Sequence, residues 1–293
     1  MKAWMKSIPD NFLVSEINLP GTHNSATKRV RFSLFSKCQN LSVFEQLNIG
    51  IRFLDIRVEK VGSRLKLVHG IADCLKPDDK KERLFLEDVL QDCYDFLKIN
   101  PTEAVFFCLK RDDGASQEDV FDTFFENYLN DDTLWYTENR IPTMGEARGR
   151  LVLLRRCCIN TKNKAYNDYN TGLNFTGWCD HSKPVENGYS VVPIPRLKGN
   201  AQEAFLLQDM YKLKPAEKWA FAVYPLLDNP PKTDSIILNF FSANTLIKTP
   251  KAYAKYMLKR FKIVKLTPFK KYGWLILDFP TEKLCKKIVL TNF

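Results

Sequence analysis

Short apolar runs alternate with amphipathic helical segments along the 293 residues, and this order constrains the fold more than any other feature. The run AVFFCLKR (104–111) is nearly all apolar, as in a strand covered on both faces, whereas residues 86–97 carry apolar side chains at helical spacing. Repeated strand–helix order predicts a parallel sheet, either a barrel or a doubly wound sheet. The predicted strands are 13–19, 51–58, 64–69, 104–111, 150–158, 235–242 and 273–278, and the predicted helices are 42–47, 86–97, 116–130, 250–262 and 281–291.

The ends of the predicted strands favour the barrel. Within IRFLDIRV (51–58), two-residue alternation puts Asp55 and Arg57 on one face and apolar residues on the other. Charged or ionisable residues also end other strands, and C-terminal strand ends form the mouth of a (β/α)8 barrel. We therefore expect a single α/β domain over residues 1–293, with long loops near the mouth in the irregular segment 159–233. The strand-end residues are Asp55, Arg57, His69, Lys110, Arg156 and Asp278.

The net charge of the chain indicates which classes of partner it can bind. Lys and Arg number 44 against 34 Asp and Glu, which gives a net charge of +10. This excess fits nucleic acid, an anionic membrane surface or a phosphate-bearing substrate, and it also fits an ordinary solvated surface. No apolar run approaches the ~20 residues of a bilayer span. The first ten residues, MKAWMKSIPD, contain no apolar core of signal-peptide length, so secreted and cytosolic locations both stay open.

Cysteine and histidine usage argues against a metal centre. The chain has eight cysteines and three histidines, and it contains no CxxC pair. Cys108, Cys157 and Cys158 lie in apolar runs typical of buried strands, so we expect mostly free, buried thiols. A zinc site is not expected from this pattern, and neither is any other metal or cofactor.

Two histidines lie at strand ends, where chemistry is expected. His23 lies in the polar turn PGTHNS, and His69 ends the strand 64–69. Two imidazoles can serve as general base and general acid near neutral pH. The fork of Arg57 can bind a phosphate, and a carboxylate such as Asp278 can fix the tautomer of a histidine. Together these side chains are typical of metal-free phosphodiester cleavage, whereas His181 is interpreted as structural.

Eight motifs follow one another in order along the chain, within a similarity that extends from about Trp4 to Asn292. They are LPGTHNSAT (19–27), FLDIR (53–57), LVHG (67–70), NPTEAVFFCLKRD (100–112), ARGRLVLLRR (147–156), LLQDMYK (206–212), LNFFSAN (238–244) and GWLILDFP (273–280). This set resembles the phosphatidylinositol-specific phospholipase C X-domain family in its bacterial single-domain form. The resemblance implies a distorted barrel in which the inositol 2-hydroxyl attacks phosphorus, diacylglycerol leaves and inositol 1,2-cyclic phosphate forms. The resemblance does not decide whether glycosyl-phosphatidylinositol anchors are also substrates.

The resemblance also assigns roles by position. His23 in PGTH matches the general base for the 2-hydroxyl proton, and His69 in LVHG matches the general acid that protonates the leaving oxygen. Arg57 matches the residue that holds the phosphate oxygens, and Asp278 matches the carboxylate that orients the base. The residues expected to bind the substrate are Lys110, Arg156, Asp209, Tyr211 and Asp55.

Two positions bear on metal dependence. The calcium-dependent relatives carry an acid where this chain has Arg57, and a guanidinium there would repel a calcium ion. The sequence therefore favours a metal-independent enzyme. Asn24 departs from the pattern, because metal-free bacterial members usually have Asp after this histidine. An amide at this position can accept a hydrogen bond from Arg57 but lacks the charge, and a calcium-dependent enzyme with Asn24 as a ligand is the weaker alternative.

The expected partner is a membrane surface that contains phosphatidylinositol, not nucleic acid, and the chain is expected to be a monomer. Among the aromatic residues of segment 159–233, Trp178 and Trp219 are candidates to touch lipid at headgroup depth. Because bacterial relatives are commonly secreted, we expect a secreted protein. The alternatives are a catalytically silent phosphoinositide-binding barrel, a glycerophosphodiester-type phosphodiesterase with acidic metal ligands, and a two-histidine ribonuclease.

Overall fold

The computed structural model describes residues 1–112, 118–129, 133–160, 162–179, 181–195, 203–243 and 248–293. The strands in these segments are β1 (Leu19–Thr22), β2 (Phe53–Val61), β3 (Arg64–His69), β4 (Ala72–Asp73), β5 (Val105–Arg111), β6 (Trp135–Tyr136), β7 (Leu151–Arg155), β8 (Leu173–Asn174), β9 (Ser190–Pro193), β10 (Ala204–Gln208), β11 (Ile236–Phe240) and β12 (Trp274–Leu277). The helices are α1 (Ser33–Ser36), α2 (Val43–Asn48), α3 (Leu86–Ile99), α4 (Glu118–Asn127), α5 (Met144–Ala147), α6 (Pro215–Lys218), α7 (Tyr224–Asp228), α8 (Pro250–Ile263) and α9 (Glu282–Val289). None of them is long and apolar enough to span a bilayer.

One curled sheet collects strands from both ends of the chain in the order β6-β7-β5-β2-β1-β12-β11-β10-β9. Neighbours from β6 to β10 run parallel, and β9 pairs antiparallel with β10. The strands β3 and β4 form an antiparallel excursion on the long β2, outside the parallel series. The predicted α/β barrel is therefore confirmed as a single domain. In the described segments its parallel series has eight strands, and the short β8 adds a further parallel pairing to β7.

The barrel is distorted because it does not close. Within the described segments, no strand pairing joins β6 or β8, which both pair with β7 at one end of the sheet, to β9 or β10 at the other end. The rings of Phe175 and Phe205 stack across this seam with their centroids 4.0 Å apart. Side-chain packing thus replaces main-chain hydrogen bonds at the seam, which lies beside the least regular part of the sequence.

The two faces of β2 show how the sequence builds the barrel. Phe53 points into the interior with Phe106 and Trp274, whose rings lie 4.5 Å apart, centroid to centroid. Ile56 and Val58 belong to the opposite layer, packed with the apolar stripe of α3. Because Asp55 and Arg57 share the interior face with Phe53, the alternation predicted for residues 51–58 is confirmed.

The first predicted strand is wrong. Residues 13–19 alternate as a strand would, but Val14–Glu16 form a turn of 3-10 helix that is closed by a hydrogen bond from the Leu13 N–H to the Glu16 carboxylate. The first strand is instead β1, in the residues interpreted as a turn. There Gly21 is required, because a Cβ at this position would lie 2.8 Å from the Cβ of Phe53.

Most other elements lie near their predicted places, and one important strand was missed. The short helix 42–47 is confirmed as α2, where Ser42 Oγ accepts a hydrogen bond from the Glu45 N–H. The predicted helix 116–130 is confirmed over α4, while residues 116, 117 and 130 lie outside the described residues, as does Asn244 of the motif 238–244. The strand β10 forms part of the barrel although the segment 159–233 was expected to be mainly loops.

Candidate active site

The C-terminal ends of the parallel strands surround a cavity of about 710 Å³. This volume suits a small polar ligand or a headgroup. Three of the ten residues predicted for the site, Asn24, Asp55 and Asp278, are buried behind the cavity wall. The other seven line it, and they are His23, Arg57, His69, Lys110, Arg156, Asp209 and Tyr211.

Two neighbouring strands hold His23 and Asp278 side by side. His23 follows β1 and Asp278 follows β12, and the parallel register pairs the residues that precede them, Thr22 and Leu277. The His23 Nδ1–H donates to Asp278 Oδ1 at 3.0 Å, and the Asn24 amide donates to His23 Nε2 at 2.9 Å. Since the carboxylate can only accept, the proton of the neutral ring is on Nδ1 and Nε2 carries the lone pair. This is the tautomer that a general base needs.

Asn24 does not contact Arg57, so that part of the sequence-based expectation is wrong. Its backbone is left-handed (φ 45°), and its main-chain N–H donates to Asp55 Oδ2 at 3.1 Å. The carboxamide nitrogen turns to His23, and Asn24 Oδ1 is buried without a hydrogen-bond partner among the described residues. The amide therefore acts on the histidine rather than on the arginine.

Two buried carboxylates hold Arg57 in place. Its Nε donates to Asp55 Oδ2 at 3.1 Å, and its Nη1 donates to Asp112 Oδ1 at 3.3 Å. Burial would raise the pKa of Asp55, but the charges of Arg57, His23 and Arg156 lower it to about 2. Asp112 directly follows β5, in which Lys110 pairs with Arg57 in the parallel register, and Asp112 also accepts from Lys110. Asp55 thus sits beneath the arginine and does not line the cavity.

The second histidine reaches the cavity by a route that the sequence did not predict. His69 ends β3, the antiparallel hairpin strand, and not a strand of the parallel series. Its Nδ1–H donates to the Ser36 carbonyl oxygen at 2.7 Å, and its ring centroid lies 6.1 Å from that of His23. Burial and then the charges of Arg57 and His23 lower the pKa of His69 to about 4. The positively charged form of His69 is therefore unfavourable until an anion enters the cavity.

The opposite side of the cavity carries groups suited to a polyhydroxylated ligand. The Arg156 guanidinium stacks on the Trp178 ring at 3.6 Å from its centroid, and the Trp178 Nε1–H donates to Asp209 Oδ2 at 3.2 Å. Arg156 Nε and Nη1 are buried without a hydrogen-bond partner among the described residues. Lys110 and Tyr211 complete this side of the cavity. The predicted substrate-binding residues other than Asp55 are thus brought together.

Comparison with known proteins finds similarity along the whole chain. Residues 12–154 match the family model described as PI-PLC X 1. This match covers just under half of the chain.

Bacterial proteins are among its relatives. A 1-phosphatidylinositol phosphodiesterase of Listeria monocytogenes is 26% identical over 99% of this chain and 85% of its own length. One from Staphylococcus aureus is 26% identical over 94% of this chain and 87% of its own length. Two solved structures share the fold at 24% identity and cover the whole chain, namely phosphatidylinositol-specific phospholipase C from S. aureus (97% of that chain, TM-score 0.77) and from L. monocytogenes (98%, TM-score 0.72).

Several residues of this site were not predicted from the sequence. Asp112 ends the motif 100–112, but the sequence pattern indicated no role for it, and Cys38 is a buried thiol that lines the cavity. Burial, and then the Asp278 carboxylate, raise the pKa of the Cys38 thiol well above its usual value. Lys218 lies fully buried behind the wall, where its Nζ donates to the Ser242 carbonyl and burial lowers its pKa to about 8. These residues lie far apart in the chain or in loops, where spacing carries no signal.

The two tryptophans that the sequence suggested for lipid contact do not lie at an exposed rim of the cavity. Trp178 supports Arg156 inside the cavity, and Trp219 packs against Phe241 at the edge of the core. The exposed apolar side chains near the mouth are instead on and beside α1, where Phe32, Leu34 and Phe35 are 67%, 64% and 68% exposed. Phe35 also lines the cavity.

Proposed function

We propose that the protein is a phosphatidylinositol-specific phospholipase C that releases diacylglycerol and forms inositol 1,2-cyclic phosphate. The observation that carries this proposal is one cavity lined by a carboxylate-oriented His23, by His69 and by Arg57. An oriented base, an acid and a fixed cation are the groups that metal-free cleavage of a phosphodiester with a neighbouring hydroxyl requires. The substrate class is supported by the match to the PI-PLC X family model and by the similarity to bacterial 1-phosphatidylinositol phosphodiesterases.

In the first half of the reaction, the lone pair on His23 Nε2 takes the proton of the inositol 2-hydroxyl as the oxygen–phosphorus bond forms. Asp278 stabilises the resulting imidazolium through the Nδ1–H. The Asn24 amide now donates to Nε2, so the substrate hydroxyl must displace it. The amide thus competes with the substrate for the base.

In the second half, His69 gives a proton to the glycerol oxygen as the bond from that oxygen to phosphorus breaks. The cationic form of His69 is disfavoured in the free protein because burial and Arg57 lower its pKa. A bound phosphodiester brings a negative charge beside both groups and favours the protonated ring. Binding of the substrate would therefore favour the protonated form of His69 that acts as the general acid.

Arg57 would hold the phosphate oxygens and carry the electrostatic part of the reaction. Burial would lower the pKa of Arg57, but Asp55 and Asp112 raise it, so the guanidinium stays charged. Calcium prefers six to eight oxygen ligands, and here the guanidinium occupies the space between the two carboxylates. We infer a metal-independent reaction for this reason.

The opposite side of the cavity would bind the inositol ring. Arg156 offers two buried donors without partners, and sugar hydroxyls are acceptors that could satisfy them. Asp209, Tyr211 and Lys110 would supply further contacts to hydroxyl groups. Donors of this kind gain a partner only when the ligand enters.

The membrane-facing surface would be the rim around α1. Phe32, Leu34 and Phe35 are exposed at this rim, and apolar side chains can enter the interface while the headgroup enters the cavity. A membrane that contains phosphatidylinositol is thus the expected partner, for a monomeric and secreted enzyme. The basic surface would add attraction to anionic lipid.

The test is incubation of the protein with phosphatidylinositol vesicles in excess chelator, followed by phosphorus NMR. We expect a cyclic phosphodiester signal that is absent with His23→Ala. Product that forms only after calcium is added would contradict metal independence and would assign Asn24 to a calcium site. Vesicle binding without product in either condition would instead favour a catalytically silent lipid-binding barrel.

A further inference from the structure

Three side chains with metal-binding atoms meet at the edge of the cavity. A ring nitrogen of His23, Cys38 Sγ and a carboxylate oxygen of Asp278 all lie within 4.8 Å of one another. Zinc bonds of about 2.0–2.3 Å place tetrahedral ligands roughly 3.3–3.8 Å apart. Side-chain adjustments of about 1 Å would therefore suffice to enclose an ion.

The chemistry of the donors selects the metal. A thiolate with an imidazole and a carboxylate suits zinc, whereas calcium and magnesium require oxygen ligands. We propose that His23, Cys38 and Asp278 form an inhibitory zinc site across the general base of the enzyme. The fourth position would be open to water, since Cys38 and His23 both line the cavity.

The surroundings of the cluster contain a further polar atom without a partner in the described part of the chain. His69 Nδ1 lies 3.9 Å from Cys38 Sγ, but its N–H donates to the Ser36 carbonyl oxygen and is not available to a metal. The carboxamide of Asn24 reaches His23 with its nitrogen, and its buried Oδ1 has no hydrogen-bond partner among the described residues. This oxygen is an unused acceptor next to the cluster, and it could bond a zinc-bound water after a small rotation of the amide.

The charges around the three side chains are compatible with a bound zinc ion. The guanidinium of Arg57 lines the same cavity, but two carboxylates, Asp55 and Asp112, bind it. Formation of the zinc–sulfur bond releases the thiol proton to solvent, so the thiolate and Asp278 together match the two charges of the metal. The ion would therefore not be an uncompensated charge in a buried site.

A zinc ion at this place would inhibit and not assist the proposed reaction. It would take Asp278 away from the His23 ring or occupy the ring itself, and either event removes the base. The ion would also stand where the substrate hydroxyl must approach. Inhibition rests on the proposed function, but binding of the metal does not, so the two can be tested separately.

Cobalt(II) is a suitable probe for binding, because it replaces zinc and a thiolate ligand gives it an intense near-ultraviolet charge-transfer absorption. We expect this absorption with the full-length wild-type protein at one cobalt per chain, and competition by zinc. Cys38→Ser and Cys38→Ala should both lose it. Cys179→Ser is the matched control, since Cys179 is an exposed thiol on the rim of the same cavity. The control should keep the absorption.

Inhibition is measured with phosphatidylinositol vesicles in zinc buffers of known free concentration. Cys38→Ser should raise the zinc concentration for half-inhibition by at least about 10-fold, because loss of even an outer-shell partner costs 10- to 100-fold in affinity. Chelator should restore wild-type activity, and magnesium should not inhibit. Equal cobalt spectra, or equal zinc inhibition, in wild type and both Cys38 variants would overturn the proposal. A protein that binds cobalt through Cys38 but never cleaves phosphatidylinositol would refute the proposed function alone.

Discussion

The two sides of the cavity are built differently. The histidine wall, formed by His23, Arg57 and His69 with Asp278 buried behind it, lies around β1, β2 and β12, where the sheet is continuous. The tryptophan wall, formed by Arg156, Trp178 and Asp209, lies on strand ends and loops beside the open seam. Catalytic groups thus occupy the part of the barrel that main-chain hydrogen bonds fix, and recognition groups occupy the part that side-chain packing closes.

Hydrogen bonding differs in the same way. On the histidine wall the cations and ring N–H groups already have protein partners, which hold them at fixed positions before a ligand arrives. On the tryptophan wall Arg156 Nε and Nη1 are buried without a hydrogen-bond partner among the described residues, although Nη1 lies 3.9 Å from Asp55 Oδ1. Fixed groups favour the transition state, whereas open donors bind ground state and transition state alike. Variants of the first wall should therefore change kcat, and variants of the second should change KM.

The largest effect is expected from the two histidines. His23→Ala or His69→Ala should lower kcat about 100- to 10,000-fold, since each removes a positioned base or acid. Thermal melting should change little in comparison, because both side chains face the cavity and not the core. Steady-state rates on phosphatidylinositol check this expectation. A loss confined to KM would place the histidines in binding and remove the distinction between the walls.

The next effect concerns Arg57. Arg57→Lys should lower kcat about 100- to 1,000-fold, because a point charge cannot reproduce the fork that Asp55 and Asp112 hold. The KM should change less than kcat does.

Arg57→Gln gives a second measurement on the same residue. Loss of the positive charge makes the His69 imidazolium less costly, so the pKa of His69 should rise from about 4, while burial keeps it below its usual value. Proton NMR titration of the three histidines measures the shift, and Arg57→Lys is the control that keeps the charge. A His69 pKa that is unchanged in Arg57→Gln would show that burial alone sets it.

A smaller effect is expected on the tryptophan wall. Arg156→Met should raise KM about 10- to 100-fold with kcat nearly unchanged, as loss of hydrogen bonds from a charged group costs about 1.5–3 kcal/mol. Trp178→Phe keeps an aromatic face under the guanidinium and should raise KM less. A parallel fall in kcat for Arg156→Met would mean that this wall also acts on the transition state.

The site could be predicted from the sequence where local pattern and chemistry coincide. Alternation in residues 51–58 placed Asp55 and Arg57 on the interior face, and strand ends with ionisable residues indicated the mouth. The motif resemblance added Asp209 and Tyr211, which no spacing rule would have selected. These predictions depend on short segments whose geometry is decided locally.

The parts that could not be predicted depend on contacts between distant segments. His69 reaches the cavity because β3 folds back on an extended β2, and a strand pattern does not show its direction. Cys38 meets Asp278 from 240 positions away, although cysteine spacing argued against any metal site. The strand β1 contains a proline and a glycine, and its pairing with the distant β12 and with β2 makes it a strand.

The smallest effect, and the one that tests the histidine wall most finely, is expected from Asn24→Asp. Both residues tolerate the left-handed backbone found here, so the fold should be kept. The amide now donates to His23 Nε2, whereas a carboxylate would accept from the imidazolium and strengthen the base. We expect kcat in chelator to rise up to about 10-fold, and the acid limb of the pH–rate profile to move to higher pH, because the base would stay protonated to a higher pH.

Asn24→Ala separates the two influences of the amide. If the amide only competes with the substrate hydroxyl, Asn24→Ala should match Asn24→Asp in rate, and if the charge matters, Asn24→Asp should be faster and shifted. A rise in Asn24→Asp that requires calcium would instead mean that Asp55, Asp112 and the new carboxylate can draw a metal into the wall despite Arg57, and that the arginine alone does not decide metal dependence.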